Sequence, residues 1–256
     1  MKVEPVHGEA ALLVDGDRRL LVIADLHIGI EFEFHESGIT LPSQTPSLIQ
    51  RTRSLLDDLE PDVLLLLGDV KNTVDRVSRQ EMEEVPRYLR ALQDVEVHIV
   101  IGNHDSLLTN LLPPDVMVHD ARGVVMEGVG FFHGHTYPSP EVASAEVMVL
   151  GHQHPSLAFR DDLGTRMVEP CWVRAPPHPA PFLKRYGFPP AGEVIVMPAF
   201  SEYGQGSPVN EGEEFLGPFL KGGFADMDNA EIYLLDGVHL GKLSDLRALA
   251  GRPPGA

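Results

Sequence analysis

The chain has 256 residues, 43% of them hydrophobic, and its 38 acidic and 20 basic side chains give a formal net charge of −18. That length and apolar content support one large or two small packed domains, and they exclude disorder, a collagen-like fibre and, with no apolar run near the required ~20 residues, a membrane-spanning helix. The one cysteine, Cys171, precludes an internal disulfide, and the acidic balance argues against a broad basic face for nucleic acid.

The opening MKVEPVHGEA lacks the basic-then-apolar pattern of a secretion signal, so a cytoplasmic protein is expected. Leu20–Ala24 is an apolar run ending at Asp25. A helix-like stretch follows over Ser47–Glu60, with Leu48, Leu55, Leu56 and Leu59 on one face and Pro61 beyond its end. Val63–Leu67 ends at Gly68-Asp69. A second helix-like stretch, Arg79–Gln93, is interrupted by Pro86, which marks a kink or a later start. Val95–Ile101 then ends at Gly102-Asn103. This alternation describes βαβ units and a largely parallel sheet.

After residue 115 the pattern becomes one of short strands and hairpins. They are Val116–Val118, Val124–Glu127, Val129–Phe132, Val147–Leu150, Leu157–Arg160, Arg166–Val173 and Val194–Met197, with a turn at 160–164. Residues 174–192 are proline-rich and read as an irregular loop, and 252–256 as a frayed tail. The whole of 1–256 reads as a single domain. Only five cations are lysines, at 2, 71, 184, 221 and 242. Such an acid-rich, lysine-poor composition suits a salty cytoplasm, where repulsion is screened within a few ångströms. The melting temperature should therefore rise with KCl; a flat response would contradict this.

Chemistry gathers where the apolar runs end. Those ends are Asp25-Leu26-His27, Gly68-Asp69, Gly102-Asn103-His104-Asp105, His133-Gly134-His135 and Gly151-His152-Gln153-His154. In open α/β sheets ligands bind beyond the carboxyl ends of strands. Asp25 and His27, two apart on an extended segment, face one side, and so do His152 and His154. Glycine before Asp69, Asn103 and His152 permits unusual backbone angles and close approach. Two such pairs with a shared carboxylate can hold two cations ~3.5–4 Å apart. Mixed oxygen and nitrogen donors without thiolate suit Mn²⁺, Fe or Zn²⁺. His7, His35, His98, His119, His178 and His239 lack this setting and read as surface or loop histidines.

In this order the motifs resemble the calcineurin-like metallophosphoesterase superfamily. The stretches Asp25–Glu31, Gly68–Lys71 and Met197–Gly206 also resemble archaeal phosphoesterases related to the SbcD repair nuclease, and bacterial DNA-ligase-associated phosphoesterases. The resemblance implies a four-layer αββα sandwich of two mixed sheets, with a dinuclear site at one edge. It implies Asp25, His27 and His154 on one metal, Asn103, His133 and His152 on the other, and Asp69 between them. His133 is preferred to His135 because the family ligand precedes a glycine, which leaves His135 outside the ligand set. His104 is implied as the acid at the leaving oxygen, with Asp105 orienting its loop or ring. Asn72 stands where many relatives carry an Asp supporting that imidazole. Lys71 is either a contact to substrate phosphate or a solvated loop lysine. The segment 200–210 is either a substrate rim or a plain surface loop.

The implied activity is hydrolysis of a phosphate ester by attack of a metal-bridged hydroxide, a diester before a monoester, and nuclease-like chemistry is one form of it. The competing readings are a phosphomonoesterase or nucleotide phosphatase, and a scaffold without catalysis. The expected partners are two divalent cations, Mn²⁺ first, and a phosphate-ester substrate. Nucleic acid is not favoured by the surface charge, and no membrane is expected.

Overall fold

A computed structural model describes residues 1–160, 165–204, 206, 208–212 and 214–250. The expected turn at 160–164 and the tail at 252–256 fall outside the described residues, apart from Arg160 itself.

The first sheet carries β1 (Lys2–Pro5), β2 (Ala11–Asp15), β3 (Arg19–Ile23), β4 (Val63–Leu67), β5 (Glu96–Val100) and β6 (Met117–His119), in that spatial order. β1, β2 and β3 form an antiparallel meander, and β3 to β6 are parallel. The crossovers hold α1 (Ile30–Glu36), α2 (Thr45–Leu59) and α3 (Arg79–Arg90). α3 starts at Ser78, whose hydroxyl accepts from the Glu81 amide while the Glu81 carboxylate accepts from the Ser78 amide. Two donors of the first turn are thereby satisfied reciprocally. Pro86 lies inside this helix rather than at its start.

The second sheet contains β7 (Val124–Met126), β8 (Val129–Phe132), β9 (Val147–Leu150), β11 (Arg166–Ala175), β12 (Glu193–Val196), β13 (Glu231–Leu234) and β14 (His239–Lys242). β10 (Ser156–Arg160) pairs with β11 in a hairpin. β8, β9 and β12 are parallel neighbours, and the rest are antiparallel. Four short helices flank this sheet: α4 (Pro140–Ala143), α5 (Pro179–Tyr186), α6 (Gly217–Lys221) and α7 (Leu243–Ala250).

Side-chain alternation along the strands makes the layers. Leu20, Val22, Val63, Leu65 and Leu67 meet Phe131, Val149, Trp172 and Ile195 in a core between the two sheets. Their neighbours Leu21, Ile23, Leu64 and Leu66 face the other way, onto Leu48, Leu55, Val85 and Tyr88 of α2 and α3. Phe132, Met148, Val173 and Val194 pack against Phe182, Phe219 and Leu243 on the far side. A period of two thus buries both faces of each sheet, and the result is the αββα sandwich.

Three expectations need correction. The tract 174–192 is not an irregular loop throughout: β11 runs to Ala175, and Pro179–Tyr186 is a helix capped by the His178 ring at its start and by Gly187 (φ +80°) at its end. Pro179 and Pro181 fall in the first turn, where amides have no intrahelical partner to lose. His98 is not a surface histidine. It is buried on β5, with Nδ1 against His119 Nε2 and Nε2 against Glu96, both at 2.8 Å. The sequence reading also overlooked β1, β2, β13 and β14.

Candidate metal centre

β3, β4, β8 and β9 end side by side at one edge of the sandwich, and each hands a ligand-type residue into the same cleft. The mechanism of convergence differs from the extended pairs expected. Asp25 (φ +58°), His27 (+48°), Asp69 (+50°), His152 (+65°) and His154 (+44°) all adopt left-handed backbone. Eight non-glycine residues do so among those described, and five of the eight are in this site. The conformation is sparsely populated for such side chains and persists where surrounding structure over-determines it. Here each left-handed residue reverses the chain just after its strand and aims its side chain inward. Gly151 permits the close approach, since a Cβ there would lie 2.7 Å from Asp25 Oδ2.

The converging atoms form three overlapping groups: Asp25, His27 and His154; Asp69, His133 and His152; and His27, Asp69 and His104. Within each group one donor atom per residue lies within 4.8 Å of the others. Asp25 Oδ1 is 3.2 Å from His154 Nε2. Asp69 Oδ2 is 3.3 Å from His133 Nε2, 3.8 Å from His27 Nε2 and 3.9 Å from His104 Nε2. Asn103 Oδ1 joins His133 Nε2 at 3.2 Å. Asp25, His27, Asp69 and His133 are buried. His135 lies beside this set, its ring centroid 5.3 Å from that of His133 and 6.1 Å from that of His152, with a buried Nδ1 that has no hydrogen-bond partner among the described residues.

What fixes the rings is a set of oxygen acceptors behind them. His27 Nδ1 donates to Asn72 Oδ1 at 3.1 Å, His133 Nδ1 to the Leu67 carbonyl at 3.0 Å and His154 Nδ1 to the Gly204 carbonyl at 2.9 Å. His104 Nδ1 donates to the Asn72 carbonyl. With Nδ1 engaged behind, each of these rings presents its Nε2 to the cleft, as a lone pair once any second proton has left. His27 Nε2 and His154 Nε2 face each other at 3.3 Å; burial lowers the pKa of the His154 ring, but Asp25 outweighs burial and raises it. Imidazole nitrogens gathered on two buried carboxylates leave a negative pocket that either protons or a metal cation must fill. On this ground the residues fit divalent metal.

Burial and charge set the titration of the site. Burial pushes His27 down to about 4, and burial aided by the His133 charge does the same to His152 and His135. Burial would raise Asp69, but His133, His27 and His104 outweigh it and hold the carboxyl well below its usual range. His133 moves in the opposite sense to His27: burial lowers it, yet Asp69 and Asp25 lift it to about 10. A proton on His133 therefore stabilises the metal-free fold fully below the unfolded value of about 6.5, and that contribution is lost as pH rises through about 10. A metal taking His133 Nε2 must displace this proton. Titrating Mn²⁺ into chelator-treated protein, in two buffers of different ionisation heat, should show proton release and affinity that falls as the pH falls. Uptake without proton release would contradict the ligand assignment.

Of two supporting residues, Asp105 takes the loop alternative rather than the ring, and Lys71 takes neither of the expected places. Asp105 does not touch the His104 ring. It is buried, accepts from the amides of Val70, Lys71 and Gly102, and so ties the loop after β4 to the loop after β5. Burial and then the Asp69 charge push its carboxyl up to about 6. Lys71 is neither solvated nor turned to a phosphate. It is buried, and its Nζ donates to the carbonyls of Thr73 and Arg76. Asn72 braces His27 through its side chain and His104 through its backbone, and Glu33 accepts from its Nδ2 at 2.8 Å. Sequence reasoning missed Glu33, Gln44 and Glu81. Gln44 donates to the carbonyls of Leu26 and His27, and Glu81 accepts from the amides of Asn72 and Thr73. Only Glu81 carried a signal, the Ser78-x-x-Glu81 capping pattern.

A cleft of about 370 Å³ opens over the centre, lined by His27, Asp69, Asn103, His104, His152 and His154, with Gly206, Glu214 and Leu216 on its rim. Part of segment 200–210 is thus rim. The rest is brace: Phe200 and Ser201 are buried, and their amides donate to the carbonyls of Ala24 and Asp25.

Residues 18–189 match the family model of the calcineurin-like phosphoesterases. The chain belongs to that family. Every metal-ligand candidate and His104 lie inside the matched span. Among solved structures, the fold is similar to that of Pseudomonas putida nuclease MPE, with a TM-score of 0.53 at 20% identity over 92% of this chain and 98% of that one. YfcE, a phosphoesterase from E. coli, gives 0.39 at 16% identity over 87% and 97%. No curated protein sequence matches the chain. As a family member the protein is a phosphoric ester hydrolase that uses divalent metal. No helix among the described residues is long and apolar enough to cross a membrane.

Proposed function

We propose that the protein is a two-metal phosphodiesterase. The observation behind this reading is the convergence of imidazole nitrogens on Asp25 and Asp69, with the His27, His133 and His154 rings pinned from behind by oxygen acceptors. Asp25, His27 and His154 would hold one cation and Asn103, His133 and His152 the other, with Asp69 shared. Mn²⁺ suits this donor set, as do Fe and Zn²⁺. Two bound cations would supply Lewis acidity, bringing the pKa of a water towards neutrality and offsetting phosphoryl charge.

The chain supplies the rest. His104 lines the cleft, and the Asn72 carbonyl occupies its Nδ1 in either protonation state. The exchangeable proton therefore sits on Nε2, where it serves the departing alkoxide. Asp69 Oδ1 accepts from the His104 amide at 2.9 Å and keeps that residue in register with the centre. Asp105 positions the same loop from below.

A diester is favoured over a monoester by the lining. No lysine or arginine is among the described residues of the cleft, and Glu214 stands on its rim. A diester brings one negative charge, whereas a monoester brings up to two, and no lysine or arginine among the described lining residues assists the cations with the second. With Mn²⁺, kcat/KM for bis-p-nitrophenyl phosphate should exceed that for p-nitrophenyl phosphate by about tenfold, or about 1.4 kcal/mol of transition-state preference. Faster turnover of the monoester would overturn the assignment to diesters.

A further inference from the structure

We infer that Gln44 is a positioning residue for the Asp25–His27–His154 cation position: it bonds the backbone of His27 to the loop that aims His154. This rests on the two-metal reading and deepens it, because it gives the two positions separate supports.

Gln44 stands at the N-cap of α2, where a short Ser, Thr, Asp or Asn would bond back onto the helix. Its side chain makes no such cap. The amide reaches the metal centre instead and is 2% exposed. Nε2 donates to the carbonyls of Leu26 and His27, each at 3.2 Å. Oε1 accepts from the Ser201 hydroxyl at 3.0 Å and from the Glu202 amide at 3.1 Å. A primary amide has two donor hydrogens and two acceptor lone pairs, so all four of its places are taken. A glutamate here would set an oxyanion against two carbonyls, and an asparagine is one methylene shorter.

The path continues beyond Ser201. Its hydroxyl, while donating to Gln44, accepts from the Gly204 amide at 3.0 Å. The Gly204 carbonyl in turn accepts from His154 Nδ1 at 2.9 Å. The Ser201 amide donates to the Asp25 carbonyl at 3.1 Å. Asp25, His27 and His154 are therefore joined by one hydrogen-bonded path through Gln44 and Ser201. The other position is supported separately, His133 by the Leu67 carbonyl of β4 and the loop bearing Asn103 by Asp105.

The path matters because residues 199–204 belong to no helix or strand. A strand carbonyl such as that of Leu67 is held by its ladder, whereas the Gly204 carbonyl is held through Ser201 and Gln44. A buried network with every member satisfied is rigid, and loss of one member frees the rest. Removing the partner that orients a ligating imidazole typically costs about 10–100-fold in metal affinity.

The test is calorimetric titration of Mn²⁺ into chelator-treated full-length protein, with electron paramagnetic resonance on the same samples. Gln44→Met keeps the unbranched length and removes all four bonds. It should weaken one Mn²⁺ equivalent by about 10–100-fold and leave the other at its wild-type affinity. The spin-coupled signal of a metal pair should give way to that of isolated Mn²⁺. Ser201→Ala should weaken the same equivalent, and the double variant should be no worse than Gln44→Met alone, since both act on one path. Thr52→Val, which deletes a buried hydrogen bond to Tyr88 on the same helix, should leave both equivalents unchanged. Histidine NMR of the metal-free protein adds a readout that needs no metal. The His154 Nδ1 proton should exchange with solvent about tenfold faster in Gln44→Met, and the His133 Nδ1 proton at the wild-type rate. Melting temperatures report folding, and if Gln44→Met does not fold, Ser201→Ala decides on the same readouts. Wild-type affinity for both equivalents, equal weakening of both, or an unaltered His154 exchange rate would each overturn the inference. A wild type that binds fewer than two Mn²⁺, while Gln44→Met still speeds His154 exchange, refutes the two-metal reading and leaves the positioning role standing.

Discussion

Asp69→Asn should abolish turnover, lowering kcat by about 10⁴-fold, and should reduce bound metal to one ion or fewer per chain. Asp69 is the carboxylate within reach of three imidazoles, His133, His27 and His104, and it belongs to two of the three ligand groups. The substitution keeps the shape and can preserve the acceptor for the His104 amide. What changes is Oδ2, where an NH₂ group would now point at two cation positions. Residues that act as one unit lose nearly the whole effect when any member is removed, so the loss should approach that of the entire centre. Metal analysis and steady-state kinetics on the same sample measure both quantities. Two tightly held metals with more than a tenth of wild-type turnover would show that Asp69 does not bridge.

His104→Ala is expected to behave differently, losing about 10²–10⁴-fold in kcat, or roughly 3–5 kcal/mol, with metal content intact. The distinction matters because His104 also falls in a group with His27 and Asp69 that has the spacing of a ligand set. If Nε2 delivers a proton to the leaving oxygen, the deficit should shrink for p-nitrophenolate, which departs without one, and grow for an alkyl leaving group. Loss of metal on substitution would make His104 a ligand, and an equal deficit across leaving groups would remove its assigned acid role.

The parts of this site that were legible in the sequence are those where residue type itself carries the chemistry. Apolar runs ending in Asp, Asn or His marked β3, β4, β5, β8 and β9, and their ends do meet at one edge. The backbone that makes them meet was not legible. Left-handed conformation at Asp25, His27, Asp69, His152 and His154 is enforced by tertiary contacts, and none of these residue types announces it. Nor were the acceptors at Leu67, Asn72 and Gly204, because three of the four ring contacts use a backbone carbonyl that any residue could supply. His98 was misjudged because alternation along β5 places it on a buried face, where His119 and Glu96 satisfy both ring nitrogens. β1, β13 and β14 are four-residue strands that mix polar with apolar residues, and β2 is a five-residue apolar run ending in Asp15, so sheet pairing rather than local pattern defines them.

Lys71 and Asp105 illustrate a further limit. Each adjoins a ligand-type residue in sequence, and proximity to the centre suggested a part in the chemistry. Both hold loops in place by bonding to backbone groups, the expected loop alternative for Asp105 and an unexpected place for Lys71. Precision of the centre thus depends on a polar scaffold that includes Gln44 and Glu81, residues remote in sequence from every ligand.

Anomalous diffraction from crystals grown with Mn²⁺ tests the dinuclear centre most directly. Two peaks should appear ~3.5–4 Å apart, one against Asp25, His27 and His154, the other against Asn103, His133 and His152, with Asp69 touching both. A single peak, or two that do not share Asp69, would contradict it.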